Sequence, residues 1–186
     1  MRVVAGKFRG RTIKSPNSDA IRPTADRLRE SLFNILVHAY GNPILDARVL
    51  DLFAGTGALG IEAISRGAHS VLFVEDSAEG RALLRENVDT FALGAISRIF
   101  RRDATKLGLV HPNEPFNLVF CDPPYRKGLA ELALASARTG GWLTSGAIVI
   151  VEEATDAKFA APDGFEELER RVYDDTEFTI LRAAER

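Results

Sequence analysis

Asp122-Pro123-Pro124-Tyr125 puts a carboxylate, two rigid carbonyls and an aromatic ring into one short corner. The two prolines fix φ and remove two backbone donors, leaving carbonyls that can only accept. Such a corner fits the exocyclic amino group of a flat heterocycle. The amine protons would bond to the Asp122 carboxylate and the Pro123 carbonyl, while the Tyr125 ring stacks on the face of the base. The lone pair of such an amine is delocalised into its ring. Holding both protons favours a pyramidal nitrogen and turns the lone pair outward for attack. Positioning and electrostatics would then do most of the work, with no covalent enzyme intermediate. A plain turn with a packing tyrosine is the alternative for this segment taken alone.

A second group lies upstream in Asp51-Leu52-Phe53-Ala54-Gly55-Thr56-Gly57, and Gly60 completes a G-x-G-x-x-G spacing. Glycines at 55 and 57 let the backbone turn tightly and approach a ligand. Glu75 follows 18 residues after Gly57, where an acid can accept hydrogen bonds from ribose hydroxyls. These features fit any adenosine-containing cofactor. Asp51 narrows the choice, since a carboxylate inside an apolar stretch four residues before Gly55 suits a cationic ligand better than a pyrophosphate. S-adenosylmethionine carries a sulfonium and an amino group and has no phosphate. Asp103 offers a further polar contact for an adenine amino group. Phe53, Ala104 and Asp122 complete the candidate cofactor contacts.

These residues need elements to carry them to one place. Val49–Phe53, Val71–Glu75, Ile96–Phe100, Phe116–Cys121 and Ala147–Val151 read as strands. Helical patterns run between them from Ala58 to Arg66, from a Ser77 cap to Leu93, and from Leu129 to Arg138. Two more strand candidates, Leu168–Val172 and Phe178–Leu181, flank the turn residues Asp174-Asp175. Such alternation predicts an α/β fold, a mostly parallel sheet with helices on both faces and an antiparallel C-terminal hairpin. Ligands in such sheets bind beyond the carboxyl ends of the strands. Ahead of this lie two short extended pieces, Arg2–Ala5 and Arg11–Lys14, plausible as a small hairpin. A turn cluster, Ser15–Asp19, follows. A helix then runs from a Thr24 cap to about Tyr40, its apolar face being Leu28, Leu32, Ile35, Leu36 and Ala39.

The chain has 186 residues and a net charge of −2, within the about 100 to 200 residues typical of one domain. The small charge conceals a split. Residues 1–30 carry a net +5 and the remainder −7. A compact basic segment can neutralise phosphates although the whole protein is slightly acidic; charge alone equally allows a solvated arm. One cysteine excludes an internal disulfide framework, and three scattered histidines give no metal-ligand spacing. No apolar run approaches the ~18 residues of a membrane-spanning helix. The N-terminus meets charge again at Lys7, so a signal-peptide core is not expected and the cytoplasm is the expected location.

With these residues in view, the chain resembles an S-adenosylmethionine-dependent, Rossmann-like methyltransferase. More closely, it resembles the bacterial 16S ribosomal RNA (guanine-N2)-methyltransferase family, the RsmD family. The resemblance rests on residues 2–11 (RVVAGKFRGR), on residues 22–34 (RPTADRLRESLFN), and on the two motifs above. The N-terminal two are the more specific, since glycine loops and Asp-Pro-Pro-Tyr corners recur in many amino-methyltransferases. The resemblance implies a seven-stranded sheet and an RNA-contacting extension over residues 1–20, ahead of a methyltransferase domain over residues 21–186. It implies cofactor contacts at Asp51, Gly55, Gly57, Glu75, Asp103 and Asp122. Its substrate would be a guanine of 16S ribosomal RNA within a small-subunit particle, with neither membrane nor DNA as a partner. The basic segment would then be an RNA clamp, with Lys7, Arg9 and Arg11 on phosphates and Arg2 and Lys14 as outer contacts. Arg22 and Arg27 belong to a motif expected to close over the target site.

Three other readings stay open on sequence grounds. A DNA adenine or cytosine amino-methyltransferase shares the chemistry but needs a large target-recognition region. A nicotinamide-dependent oxidoreductase accounts for the glycines and Glu75 but leaves the Asp122–Tyr125 corner unused. A non-catalytic RNA-binding module keeps only the basic arm. Ordinary helix-surface ion pairing is the expected role of Arg29. His38, His69 and His111 read as bystanders, and Cys121 as a buried small hydrophobe.

Overall fold

The computed structural model describes residues 1–16 and 26–185. The elements run in the order α1 (Asp26–Ala39), β1 (Arg48–Leu52), α2 (Ala58–Ser65), β2 (Ser70–Val74), α3 (Ala78–Thr90), β3 (Ser97–Phe100), β4 (Phe116–Cys121), α4 (Leu129–Thr139), β5 (Leu143–Ala154), β6 (Phe165–Tyr173) and β7 (Thr176–Ala183). The seven strands form one sheet in the order β3-β2-β1-β4-β5-β7-β6. Strands β1 to β5 pair in parallel, and β7 lies antiparallel between β5 and β6. The expected α/β class with its antiparallel hairpin is what the chain forms. Among the described residues no helix is long and apolar enough to cross a membrane.

Strict alternation along the central strands sorts side chains onto two faces. Val49, Val71, Phe73, Leu118, Phe120, Ile148 and Ile150 enter one apolar cluster with α1, α2 and α3. Leu50, Leu52, Leu72, Val74, Val119, Cys121, Val149 and Val151 enter the other with α4 and Trp142. Both faces are therefore covered, as a parallel sheet requires. Cys121 is buried there as anticipated, and burial pushes its thiol well above the usual range.

The structure corrects several boundaries. β5 extends to Ala154 because seven antiparallel pairs with β7, from Ile148–Arg182 to Ala154–Thr176, continue the ladder past Val151. In α1 the buried residues are Arg29, Leu32, Phe33, Ile35 and Leu36, so Phe33 and Arg29 face inward and Ala39 is exposed. Phe33 packs on Phe120 at 5.5 Å between ring centres. Arg29, expected on the helix surface, is completely buried, because Glu62 of α2 waits opposite it. The proposed Thr24 cap, Arg22 and most of the Ser15–Asp19 turn lie outside the described residues.

The first 14 residues form a hairpin-shaped loop with a single Arg2–Thr12 bridge rather than two regular strands. Val3 donates to the Arg11 carbonyl at 2.9 Å and Ile13 to that of Met1 at 2.8 Å. Val3 and Ile13 themselves sit in the core. This loop covers the outer side of α2, which explains why all eight residues of that helix are buried, Glu62 and Ser65 included. One Glu62 oxygen accepts from Val4 N at 2.8 Å and Arg29 Nε at 3.2 Å; the other accepts from Ala5 N at 3.1 Å and Arg66 Nε at 2.9 Å.

Candidate active site

A cavity of about 570 Å3 opens at the carboxyl ends of β1, β2 and β4. Parallel pairing of β1 with both β2 and β4 brings those ends together, so that three separate loops meet over one space. Asp51, Phe53, Gly55, Glu75, Asp103, Ala104, Asp122, Pro123 and Tyr125 all line it. Of the residues expected in the cofactor and catalytic sets, Gly57 alone does not.

Asp51 is only 1% exposed, and its carboxylate accepts from Gly60 N at 3.1 Å. Burial raises its pKa well above the ordinary carboxylate value, the Gly60 bond opposes that shift, and Glu75 adds to it. Glu75 ties the loop down. One oxygen accepts from Gly55 N at 2.8 Å, and the other from Ser77 N at 3.0 Å and Ser77 Oγ at 2.8 Å. Asp103 accepts from Thr105 N at 2.8 Å and Thr105 Oγ1 at 2.7 Å, which holds its carboxyl below the usual range. Phe53 turns the chain out of β1 at φ 57°, a left-handed conformation costing roughly 1–2 kcal/mol for a side chain of this kind.

Gly57 and Gly60 serve the scaffold. At Gly57, φ is +84°, and an added Cβ would meet Leu84 Cδ1 at 2.5 Å. At Gly60 it would meet Phe73 Cε1 at 2.5 Å, because α2 packs closely on β2. Substitution at Gly57 therefore strikes the protein's own core.

Tyr125 is half-buried, and its hydroxyl lies 2.9 Å from Glu152 Oε1 and 2.9 Å from Thr176 Oγ1. Sequence reading missed both partners, as it did Arg102. That guanidinium lines the cavity, donates to the Leu107 carbonyl at 2.6 Å and lies over the Phe100 ring. Adjacency to Asp103 was the available signal for it. Among the described residues the cavity lining thus carries five acidic residues (Asp51, Glu75, Asp76, Asp103, Asp122) and one arginine. None of the three histidines lines it, and all are exposed.

Arg2, Lys7, Arg9, Arg11 and Arg27 are exposed and lie outside the cavity lining. Lys7 N donates to the carbonyl of Ser65 at the last residue of α2, whereas Ala58 at its first residue lines the cavity. Seven residues of helix separate these points, about 10 Å. Arg11 already donates to the Thr90 carbonyl at 2.7 Å and covers the Phe91 ring at 4.5 Å. Lys14 pairs with Glu86 at 2.5 Å. Asn87, 1% exposed, links this segment to the glycine loop: it accepts from Lys14 N at 2.9 Å and donates to the Thr56 carbonyl at 2.9 Å.

The family model described as "Conserved hypothetical protein 95" matches residues 1–182. The chain belongs to this family. Its similarity to "Ribosomal RNA small subunit methyltransferase D" of Escherichia coli is 40% identity over 157 residues, 84% of this chain and 76% of the relative. The protein of the same name from Haemophilus influenzae is 35% identical over 174 residues, 92% of this chain and 88% of the relative. Among solved structures, a "putative methyltransferase" of Escherichia coli superimposes with a TM-score of 0.84 at 31% identity, over 100% of this chain and 99% of that one. The RsmD family resemblance read from the N-terminal motifs, the glycine loop and the Asp122–Tyr125 corner is thereby established, and the Rossmann-like methyltransferase fold with it.

Proposed function

We propose that this chain transfers a methyl group from S-adenosylmethionine to the exocyclic N2 amine of a guanine in 16S ribosomal RNA. The observation that carries the reading is that the Asp122–Tyr125 corner and the acid-lined glycine loop open into one cavity. Relatives named as small-subunit rRNA methyltransferases support the substrate class.

The cavity fits the cofactor on its own chemistry. Among the described lining residues, five carboxylates against one guanidinium favour a ligand bearing an amino group and a sulfonium and oppose the two phosphates of a nicotinamide dinucleotide. Asp51, buried and raised in pKa, is the group most relieved by a neighbouring cation. Asp51 and the Phe53–Gly55 backbone would hold the amino-acid end, Glu75 the ribose, and Asp103 with Ala104 the adenine. S-adenosylmethionine, when bound, supplies a methyl group on positively charged sulfur. Asp122 and the Pro123 carbonyl accept the two guanine amine protons, and Tyr125 stacks on the base. That grip turns the nitrogen lone pair toward the methyl carbon. With the cofactor in place, a nitrogen–carbon bond would replace the sulfur–carbon bond, whose electron pair would stay on sulfur, and the amine held by Asp122 and the Pro123 carbonyl would then give up one proton to solvent.

In this reading residues 1–20 form the RNA-contacting extension of a methyltransferase domain over residues 21–186. Lys7, Arg9 and Arg11 engage phosphates some distance from the target base, with Arg2 and Arg27 at α1 and Arg22 as a further RNA contact. The small-subunit particle and the cytoplasm are the corresponding setting. Mapping methylated nucleotides in ribosomal RNA from cells with and without the gene tests the reading. One N2-methylguanine should vanish from 16S RNA and return when purified chain is added to small subunits. Loss of no mark, or tight binding of NAD in place of S-adenosylmethionine, would overturn it.

A further inference from the structure

We infer that Glu152, together with Thr176, is a positioning residue that fixes the Tyr125 ring for its encounter with the substrate base. The inference rests on the reading of Tyr125 as the base-stacking residue. Tyr125 follows two prolines, so its backbone is held at one end of the side chain. The other end is held by the hydroxyl, which lies 2.9 Å from both Glu152 Oε1 and Thr176 Oγ1. With the carboxylate ionised, the Tyr125 hydroxyl donates to Glu152 and accepts from Thr176, so both torsions of the ring are pinned.

Glu152 is 2% exposed and Thr176 6%, and the antiparallel ladder brings both to the hydroxyl of Tyr125, which lines the cavity. A carboxylate buried this deeply is costly to desolvate, and stability alone is usually served as well by an apolar pair. What the polar arrangement adds is a fixed place for one oxygen atom. The neighbouring Glu153 holds the next residue by its backbone, its Oε1 accepting from Arg126 N at 2.9 Å. The C-terminal hairpin, which carries no chemical motif, thereby becomes part of the site: β7 begins at Thr176.

The test uses the full chain and four variants, Glu152→Ala, Glu152→Gln, Tyr125→Phe and Tyr125→Phe/Glu152→Ala, on small-subunit RNA. Glu152→Ala should lower kcat on the order of tenfold to a hundredfold, as expected for a displaced positioning group, while leaving cofactor affinity unchanged. Tyr125→Phe keeps the ring but loses the tether, so it should fall equally. The double variant should fall no further, since both changes remove one interaction. Glu152→Gln keeps an acceptor and should recover most of the rate. Independently of activity, chain labelled with 3-fluorotyrosine should show the position-125 resonance moving toward that of free tyrosine in Glu152→Ala. If Glu152→Ala fails to fold, Thr176→Val with Tyr125→Phe repeats the cycle. Multiplicative rate losses, a Gln variant as poor as Ala, or an unmoved fluorine resonance would each overturn the inference. A wild-type chain that methylates no RNA would instead sink the functional reading, with the fluorine spectrum still deciding whether the tether exists.

Discussion

Replacing Glu62 by glutamine is a change of one atom that should behave like the loss of a keystone. Each Glu62 oxygen accepts one amide of the N-terminal segment and one guanidinium, so all four acceptor positions are in use. A glutamine supplies one oxygen and one NH2, and flipping the amide does not help, because either orientation points a donor at an arm amide and an arginine. Two donors lose their acceptor, at about 1–3 kcal/mol for each one buried. Arg66 is 10% exposed and can turn partly to water, whereas Arg29 is fully enclosed and the arm amides cannot move without lifting the segment. A loss of about 3 kcal/mol follows, near the lower end of the about 3–5 kcal/mol for breaking a buried ion pair. At about 2–4 °C per kcal/mol for a chain this long, the melting temperature should drop by roughly 6–12 °C. Urea unfolding measures the free energy, and amide exchange at Val4 and Ala5 locates it. A variant within about 0.5 kcal/mol of wild type, the range of ordinary surface substitutions, would refute the reasoning. So would intact protection of both amides.

Asp122→Ala should abolish methyl transfer while lowering cofactor affinity, read by calorimetry, far less, since the other cofactor contacts remain; transfer at the wild-type rate would contradict the amine-holding role. Replacing Lys7, Arg9 and Arg11 together by alanine should lower the slope of log affinity against log salt by about 2, from about 0.7 per phosphate contact on single strands; an unchanged slope would show that the segment is only a solvated face. Asp51 is protonated more readily in the folded chain than in the unfolded one, so the stability it lends is full at low pH and is lost as pH rises through its raised pKa. A cation beside it favours the carboxylate, so cofactor binding should release a proton and tighten as pH rises. Calorimetry in two buffers of different ionisation heat reads that proton, and its persistence in Asp51→Asn would assign it elsewhere. Gly57→Val should unfold the chain more readily, because its side chain would enter Leu84 and φ is +84°; a variant of normal stability would argue against that packing.

What the amino-acid order determines by itself is local. Short, nearly continuous apolar runs specify five strands buried on both faces, and the breaks between them specify where helices return. Asp51-to-Gly60 and Asp122-to-Tyr125 are contiguous motifs, so the chemistry proposed for them can be read from groups that are neighbours in the chain. The basic N-terminal segment is legible for the same reason, whereas the acid-rich lining is assembled from separate segments by the fold. Glu62, Arg29, Asn87 and Glu152 were not, because their roles depend on partners 27 to 73 residues away. On a helical wheel, Arg29 looks like any solvated arginine, and only the closure of residues 1–14 over α2 turns it into a buried charge with a fixed partner. Gly57 adds to this: its spacing signals a ligand loop, and only the tertiary structure shows that Leu84 packs where a side chain there would stand. Burial and long-range hydrogen bonding are properties of the folded chain, and they distinguish a surface charge from the strut that holds the site in place.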